Sequence, residues 1–161
     1  MNSKLSGMLG TLAIVMLSAF PSTPSHATNI NYGTNQCQVA FYALATYAPQ
    51  YTNNGVMNPG SSQNFHIVCS LPRSPLPSGA TVAAFYVDGD NLNGATTGCG
   101  VFSYDYTGTL LAAYFFDASE PHFDRYVAIP AAQVPYYAYT YLICDLPPNS
   151  NGLVRGVTSL Q

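Results

Sequence analysis

Charge is what this chain has least of. Only 7% of its 161 residues are Asp, Glu, Lys or Arg. Lysine occurs once, at Lys4, so beyond the first residues the cations are Arg73, Arg125 and Arg155. A nucleic-acid binder gains most of its affinity by neutralising phosphates and releasing counterions. Three scattered arginines against seven carboxylates exclude that function, and an anionic membrane surface with it. Long amphipathic helices are excluded too, because there is too little charge to write their polar faces. Tryptophan is absent. No Cys-x-x-Cys pair of the zinc or redox type occurs, and no Gly-x-Ser-x-Gly elbow of a serine hydrolase. No cofactor is expected and no metal site.

What is abundant points to β structure. Thirteen tyrosines and eight phenylalanines stand among many Thr and Val, all good strand formers. Thirteen glycines and twelve prolines supply turns. The chain is too apolar and aromatic to be disordered.

The first residues form a different unit. Lys4 precedes an uncharged run from Leu5 to Phe20 with an apolar centre, Thr11 to Leu17. Pro21 and Pro24 break it, and Ser25-His26-Ala27 has the small-x-small form read by a signal peptidase. These are the three regions of a secretory signal peptide, residues 1–27. The run is too short for a membrane span, which needs about 20 apolar residues. Residues 28–161 are then one exported domain, secreted or periplasmic, with no stable membrane span after cleavage.

All four cysteines, Cys37, Cys69, Cys99 and Cys144, lie in that domain. An even count in an exported domain is expected to form two disulfides. Three pairings are open to them, and the favoured one joins Cys37 to Cys69 and Cys99 to Cys144.

Short strand-like runs recur along the domain. They cover 36–42, 51–57 (interrupted by Asn53-Asn54-Gly55), 65–69, 81–87, 99–106, 110–116, 125–129, 136–146 and 153–160. Asn58-Pro59-Gly60, Asp88-Gly89, Thr107-Gly108 and Pro147-Pro148 read as turns between them. The expected fold is all-β, an antiparallel sandwich of about seven to nine strands, with a closed barrel as the alternative.

Two segments echo each other. Ile67-Val68-Cys69-Ser70-Leu71-Pro72 and Leu142-Ile143-Cys144-Asp145-Leu146-Pro147 are both apolar strands ending in Cys-x-Leu-Pro. The proline ends ladder pairing and the cysteine staples the strand end, so the motif is architectural. With Arg73, Tyr86-Val87-Asp88-Gly89 and Pro148 it resembles a group of uncharacterised bacterial secreted four-cysteine proteins. That resemblance implies export and a two-disulfide β domain, with no activity to carry over. Cys37, Tyr47-Ala48-Pro49 and Phe65 to Cys69 more loosely resemble the spore-coat-U-like pilus subunits.

Candidate chemistry is sparse. His122, near Asp117, Glu120 and Asp124, is the one histidine with local carboxylates for a hydrolytic site. Glu120, His122 and Asp124 would share a face of an extended segment, as metal ligands can. Asp88 to Gly94 hints at a calcium loop but lacks the required ligands at Leu92, Asn93 and Cys99. Arg73, among prolines, has the setting of a protease-inhibitor loop. Each reads more simply as strand, turn or loop structure. The feature that most resembles a site is Tyr137, Tyr139 and Tyr141, whose alternation lines one face of a strand. Such a row can stack on sugar rings and offer hydroxyls, or it can merely stabilise a sheet across strands.

The sequence thus reads as a non-enzymatic, exported binding or structural module at or beyond the cell envelope. Its partner is an unidentified protein or glycan. A carbohydrate-binding module using the tyrosine row is the alternative, and a secreted hydrolase a remote one.

Overall fold

The computed structural model describes residues 30–40, 48–71, 76 and 79–160. The signal-peptide segment, the Arg73 loop and Tyr47 lie outside the described residues.

Eleven strands are described: β1 (Ile30–Gly33), β2 (Gln38–Val39), β3 (Gln50–Thr52), β4 (Gly55–Met57), β5 (Phe65–Ser70), β6 (Val82–Asn91), β7 (Thr97–Tyr104), β8 (Leu110–Ala118), β9 (His122–Pro130), β10 (Tyr139–Leu146) and β11 (Gly152–Leu160). Every pairing is antiparallel. One sheet runs β3-β4-β11-β6-β9, with β1 also paired to β11, and the other runs β2-β5-β10-β7-β8. The fold is the expected all-β sandwich. The count exceeds seven to nine because the 51–57 run is a hairpin of two short strands and the chain adds β1 at the edge of β11.

Alternation explains why these segments pair as they do. Along β10, Thr140, Leu142, Cys144 and Leu146 are buried while Tyr139, Tyr141, Ile143 and Asp145 look outward. β5 alternates likewise, with Phe65, Ile67 and Cys69 inward. These side chains meet Phe85, Val87, Val127, Ile129, Val154 and Val157 of the other sheet in one core. Fully burying one such aliphatic or aromatic side chain is worth about 1.5–3 kcal/mol.

The disulfides are Cys37–Cys69 and Cys99–Cys144, each with Cα atoms 4.1 Å apart. Cys99 and Cys144 stand directly opposite each other on β7 and β10. Both bridges therefore tie the five-stranded sheet rather than cross-linking the two layers.

Three local expectations change. Asp88-Gly89 is no turn: β6 continues through it to Asn91, and the reversal falls at Leu92 to Ala95, where Asn93 and Gly94 have positive φ. The gap between the 110–116 and 125–129 runs shrinks, since β8 runs to Ala118 and β9 starts at His122. The long 136–146 strand begins only at Tyr139, because Ala138 N–H closes a turn onto the Pro135 carbonyl at 2.8 Å. The last strand, β11, lies inside its sheet. It is flanked by β6 on one side and by β4 and β1 on the other, so it has no free edge to offer.

Candidate ligand-binding face

The outer face of the five-stranded sheet can be built row by row from the strand register. Residues directly opposite one another in antiparallel strands share a face. Tyr139, Tyr104 and Leu110 form one row. Ser70, Tyr141, Phe102 and Ala113 form the next. Then come Val68, Ile143, Gly100 and Phe115, and finally His66, Asp145, Gly98 and Asp117. From Tyr139 to Asp145 the face runs about 20 Å along β10 at roughly 3.4 Å per residue.

Aromatic rings cover most of this surface. Phe102 lies near-parallel to Tyr104 at 6.4 Å and edge-on to Phe115 at 5.3 Å. Tyr104 meets Tyr141 at 6.1 Å. Phe115 is 73% exposed and Tyr139 56%. A globular domain has little reason to leave such rings in water unless they cover something.

Of the tyrosines singled out from sequence, Tyr139 and Tyr141 sit on this face as expected. Tyr137 does not extend their row, because it occupies the turn before β10. Its ring packs edge-on against Tyr106 of the β7–β8 turn at 5.6 Å. The two form a wall at the end of the face. Tyr104 and Tyr106 alternate in the sequence as Tyr139 and Tyr141 do; Phe102 and Phe115 are the aromatics of this face that sequence reading passed over. Their signal was present in the alternation Phe102-x-Tyr104, but placing Phe115 beside them required the register of the hairpin.

Three depressions follow the rings. One of about 410 Å³ lies among Tyr104, Tyr106, Tyr139 and Tyr141. A second, about 280 Å³, is bounded by Ser70, Tyr136 and Tyr139. The third, about 300 Å³, has Gly98 and Gly100 as its floor and Phe102, Phe115, Ile143, His66, Asp117 and Asp145 around it. Glycine lets the rings close in: a Cβ on Gly100 would come within 2.8 Å of the Phe102 ring and 2.9 Å of Phe115. The rings lean over the bare backbone and create a trough.

The polar groups of the face are acidic or neutral. Asp145 accepts a hydrogen bond from Asn64 Nδ2 at 2.8 Å and stands 3.7 Å from His66 Nδ1. Asp105 closes the β7–β8 turn, accepting from the Thr107 hydroxyl and the Thr109 N–H, and these bonds hold its carboxyl below the usual aspartate range. No Lys or Arg lines any of the three depressions among the described residues.

The opposite sheet carries a different chemistry. Asp90 accepts from Arg155 Nε at 2.6 Å and lies 2.6 Å from His122 Nδ1. Burial pushes its carboxyl up, but the bonds from His122 and Arg155 and their charges outweigh that, and the net shift is downward. The carboxylate partner of His122 is therefore Asp90 from the neighbouring strand and none of Asp117, Glu120 or Asp124. Among the described residues there is no free cysteine, and the side chain that joins the His122–Asp90 pair is that of Arg155. Glu120, His122 and Asp124 each have other partners: Glu120 pairs with Arg125, His122 with Asp90, and Asp124 with Asp88. No group of three or more metal-ligating side chains is found among the described residues. The calcium-loop hint fails because Asp88 and Asp90 belong to β6.

Asp88 is held above the ordinary aspartate range by burial first and by Asp124 second, with Arg155 pulling the other way. A raised folded-state value means that folding carries a cost once the group is ionised in both states. That cost disappears where both are protonated, below about pH 4. Asp88→Asn is therefore expected to raise the melting temperature at neutral pH, with the gain fading as the pH falls through that range. Thermal melts of both forms across pH check this; an equal gain at every pH would refute the assignment.

No protein-family model matches the chain, and no curated protein matches it. Among solved structures, the sandwich is similar to the CBM36-1 domain of a multidomain xylanase from the hindgut metagenome of Trinervitermes trinervoides. That match has a TM-score of 0.51 at 9% identity, covering 82% of this chain and 96% of that one. It is also similar to the xylan-binding module CBM15, with a TM-score of 0.50 at 9% identity, covering 83% and 96%. At such identities the likeness is one of fold.

Proposed function

We propose that this chain is an exported, non-enzymatic binding module that lays a neutral polysaccharide along the outer face of its five-stranded sheet. The observation that carries this reading is the exposed run of rings Tyr139, Tyr104, Tyr141, Phe102 and Phe115 beside a glycine-floored trough. Sugar rings present apolar C–H faces that stack on aromatic faces, while their hydroxyls need partners at the edges. Tyrosine hydroxyls, Ser70, His66 and Asp145 supply such partners along the strip. A preformed sheet surface also spares the ligand much of the ordering cost of binding.

Charge narrows the ligand further. Among the described residues, Asp105, Asp117 and Asp145 border the depressions and no Lys or Arg does. A polyuronate would meet like charge along its length, whereas a neutral chain would not. The xylan-binding module's shared sandwich supports the glycan reading at the level of fold. Two disulfides in a 161-residue chain fit an oxidising compartment, hence secretion or the periplasm.

The test is retention of the exported, oxidised protein on insoluble neutral polysaccharides, with Tyr139→Ala alongside. Loss of one half-exposed stacking ring is expected to weaken retention about tenfold, equivalent to ~1.4 kcal/mol, and to leave the melting temperature nearly unchanged. Retention that survives both Tyr139→Ala and Phe115→Ala would remove the face from consideration. Preferential retention on polyuronate would refute the charge argument.

A further inference from the structure

Long exposed sheet edges are usually blunted, because their unpaired N–H and C=O groups recruit other strands. Four of the five described edge strands follow that rule, among them β1 with four residues. β2 has two residues and β3 three. β9 is long but carries His122, Asp124, Arg125 and Pro130. β8 is the exception: nine residues, paired among the described residues only to β7, with no charge and no proline from Leu110 to Phe116. Only its far end is closed, where Arg125 Nη2 reaches the Asp117 carbonyl at 3.5 Å.

The sequence of this edge is complementary to itself. Reversed about Tyr114, Ala112-Ala113-Tyr114-Phe115-Phe116 sets Ala112 against Phe116 and Ala113 against Phe115. One pair falls on the inward face and the other on the outward face, since neighbours along a strand alternate. Each large ring would meet a small side chain, and no like charges would face one another. Directly opposed residues of antiparallel strands lie close enough for such pairs to interact. The exposed Phe115 ring gains cover that its own chain does not provide.

We infer that β8 pairs antiparallel with β8 of a second copy of this chain, about a two-fold axis at Tyr114. The two five-stranded sheets then become one continuous sheet, with both aromatic faces on the same side. This arrangement is independent of what those faces bind. It also extends them into one platform, on which two sites would act on a single chain with the gain that a high effective concentration brings.

Sedimentation of the exported, oxidised protein from micromolar to millimolar concentration, without glycan, tests the pairing. The expected result is a shift to twice the monomer mass, lost in Ala113→Lys, which places an ammonium at the edge. Hydrogen exchange on the unmodified protein gives a reading that does not depend on the variant folding. The amides of Ala113 and Phe115 are expected to exchange severalfold more slowly at high concentration. A protein that stays monomeric throughout, a dimer that survives Ala113→Lys, or β8 amides indifferent to concentration would each overturn the inference.

Discussion

Replacing Cys99 and Cys144 together with alanine is expected to lower the unfolding free energy by about 4 kcal/mol. The bridge closes a 45-residue loop, and chain entropy released to the unfolded state grows with loop length. It also joins the two strands on which the aromatic face depends, with both cysteines buried. Against a total stability of about 5–15 kcal/mol for a domain, that loss is a large fraction of the whole. The Cys37–Cys69 bridge closes the shorter, 32-residue loop and ties down the short edge strand β2. Its removal is expected to cost slightly less. Tyrosine fluorescence and circular dichroism in urea would measure both, since no tryptophan interferes. Unchanged midpoints after either removal would show that the folded sheet needs no covalent constraint.

A comparable loss is expected from a single added side chain. Gly89→Val should cost about 3 kcal/mol or prevent export, because overpacking of a closed site forces neighbours and backbone to move. A Cβ at this position would lie 2.2 Å from Phe123 Cζ and 2.4 Å from the Leu153 carbonyl oxygen. A swing of the ring leaves the second clash in place, because the carbonyl belongs to the paired strand β11. Gly94→Ala serves as the contrast. Nothing lies within 4 Å of its added Cβ, and the penalty there is only that of a positive φ, about 1 kcal/mol. Urea midpoints of the two variants should therefore differ widely; similar values would show that the close approach at Gly89 is relieved by local movement.

Gly89 also shows where sequence reasoning stops. Asp-Gly is a good turn signal when nothing else is known. Here its glycine answers to Phe123 and Leu153, which lie 34 and 64 positions further along the chain and which no local rule can see. Alternation, by contrast, is local. The inward and outward faces of β5 and β10, and the β7–β8 hairpin, were legible because a half-buried strand writes its burial into every second residue. Tyr139 and Tyr141 were found on that basis. Tyr137 was misplaced by the same rule, since alternation cannot tell where a strand begins; the Pro135 turn decides that. The glycine trough was invisible because Gly98 and Gly100 gain meaning only when Phe115 arrives from the next strand. The pairing of His122 with Asp90 was hidden likewise, being a contact between strands rather than along one.

The antiparallel pairing of β1 with β11 sets Ile30 against Ser159. Tension applied across these two points would load their ladder at one end and open it pair by pair, the weak geometry of a zipper rather than the strong one of a shear joint. A tethered copy of this domain should therefore begin to yield at low force, shedding β1 first. Extension would then meet a hard stop. The chain between Cys37 and Cys69, and between Cys99 and Cys144, is held out of the pulled contour by covalent bonds. The face that carries the aromatic strip lies on the sheet those bonds lock, so it sits in the part of the molecule best shielded from the pull.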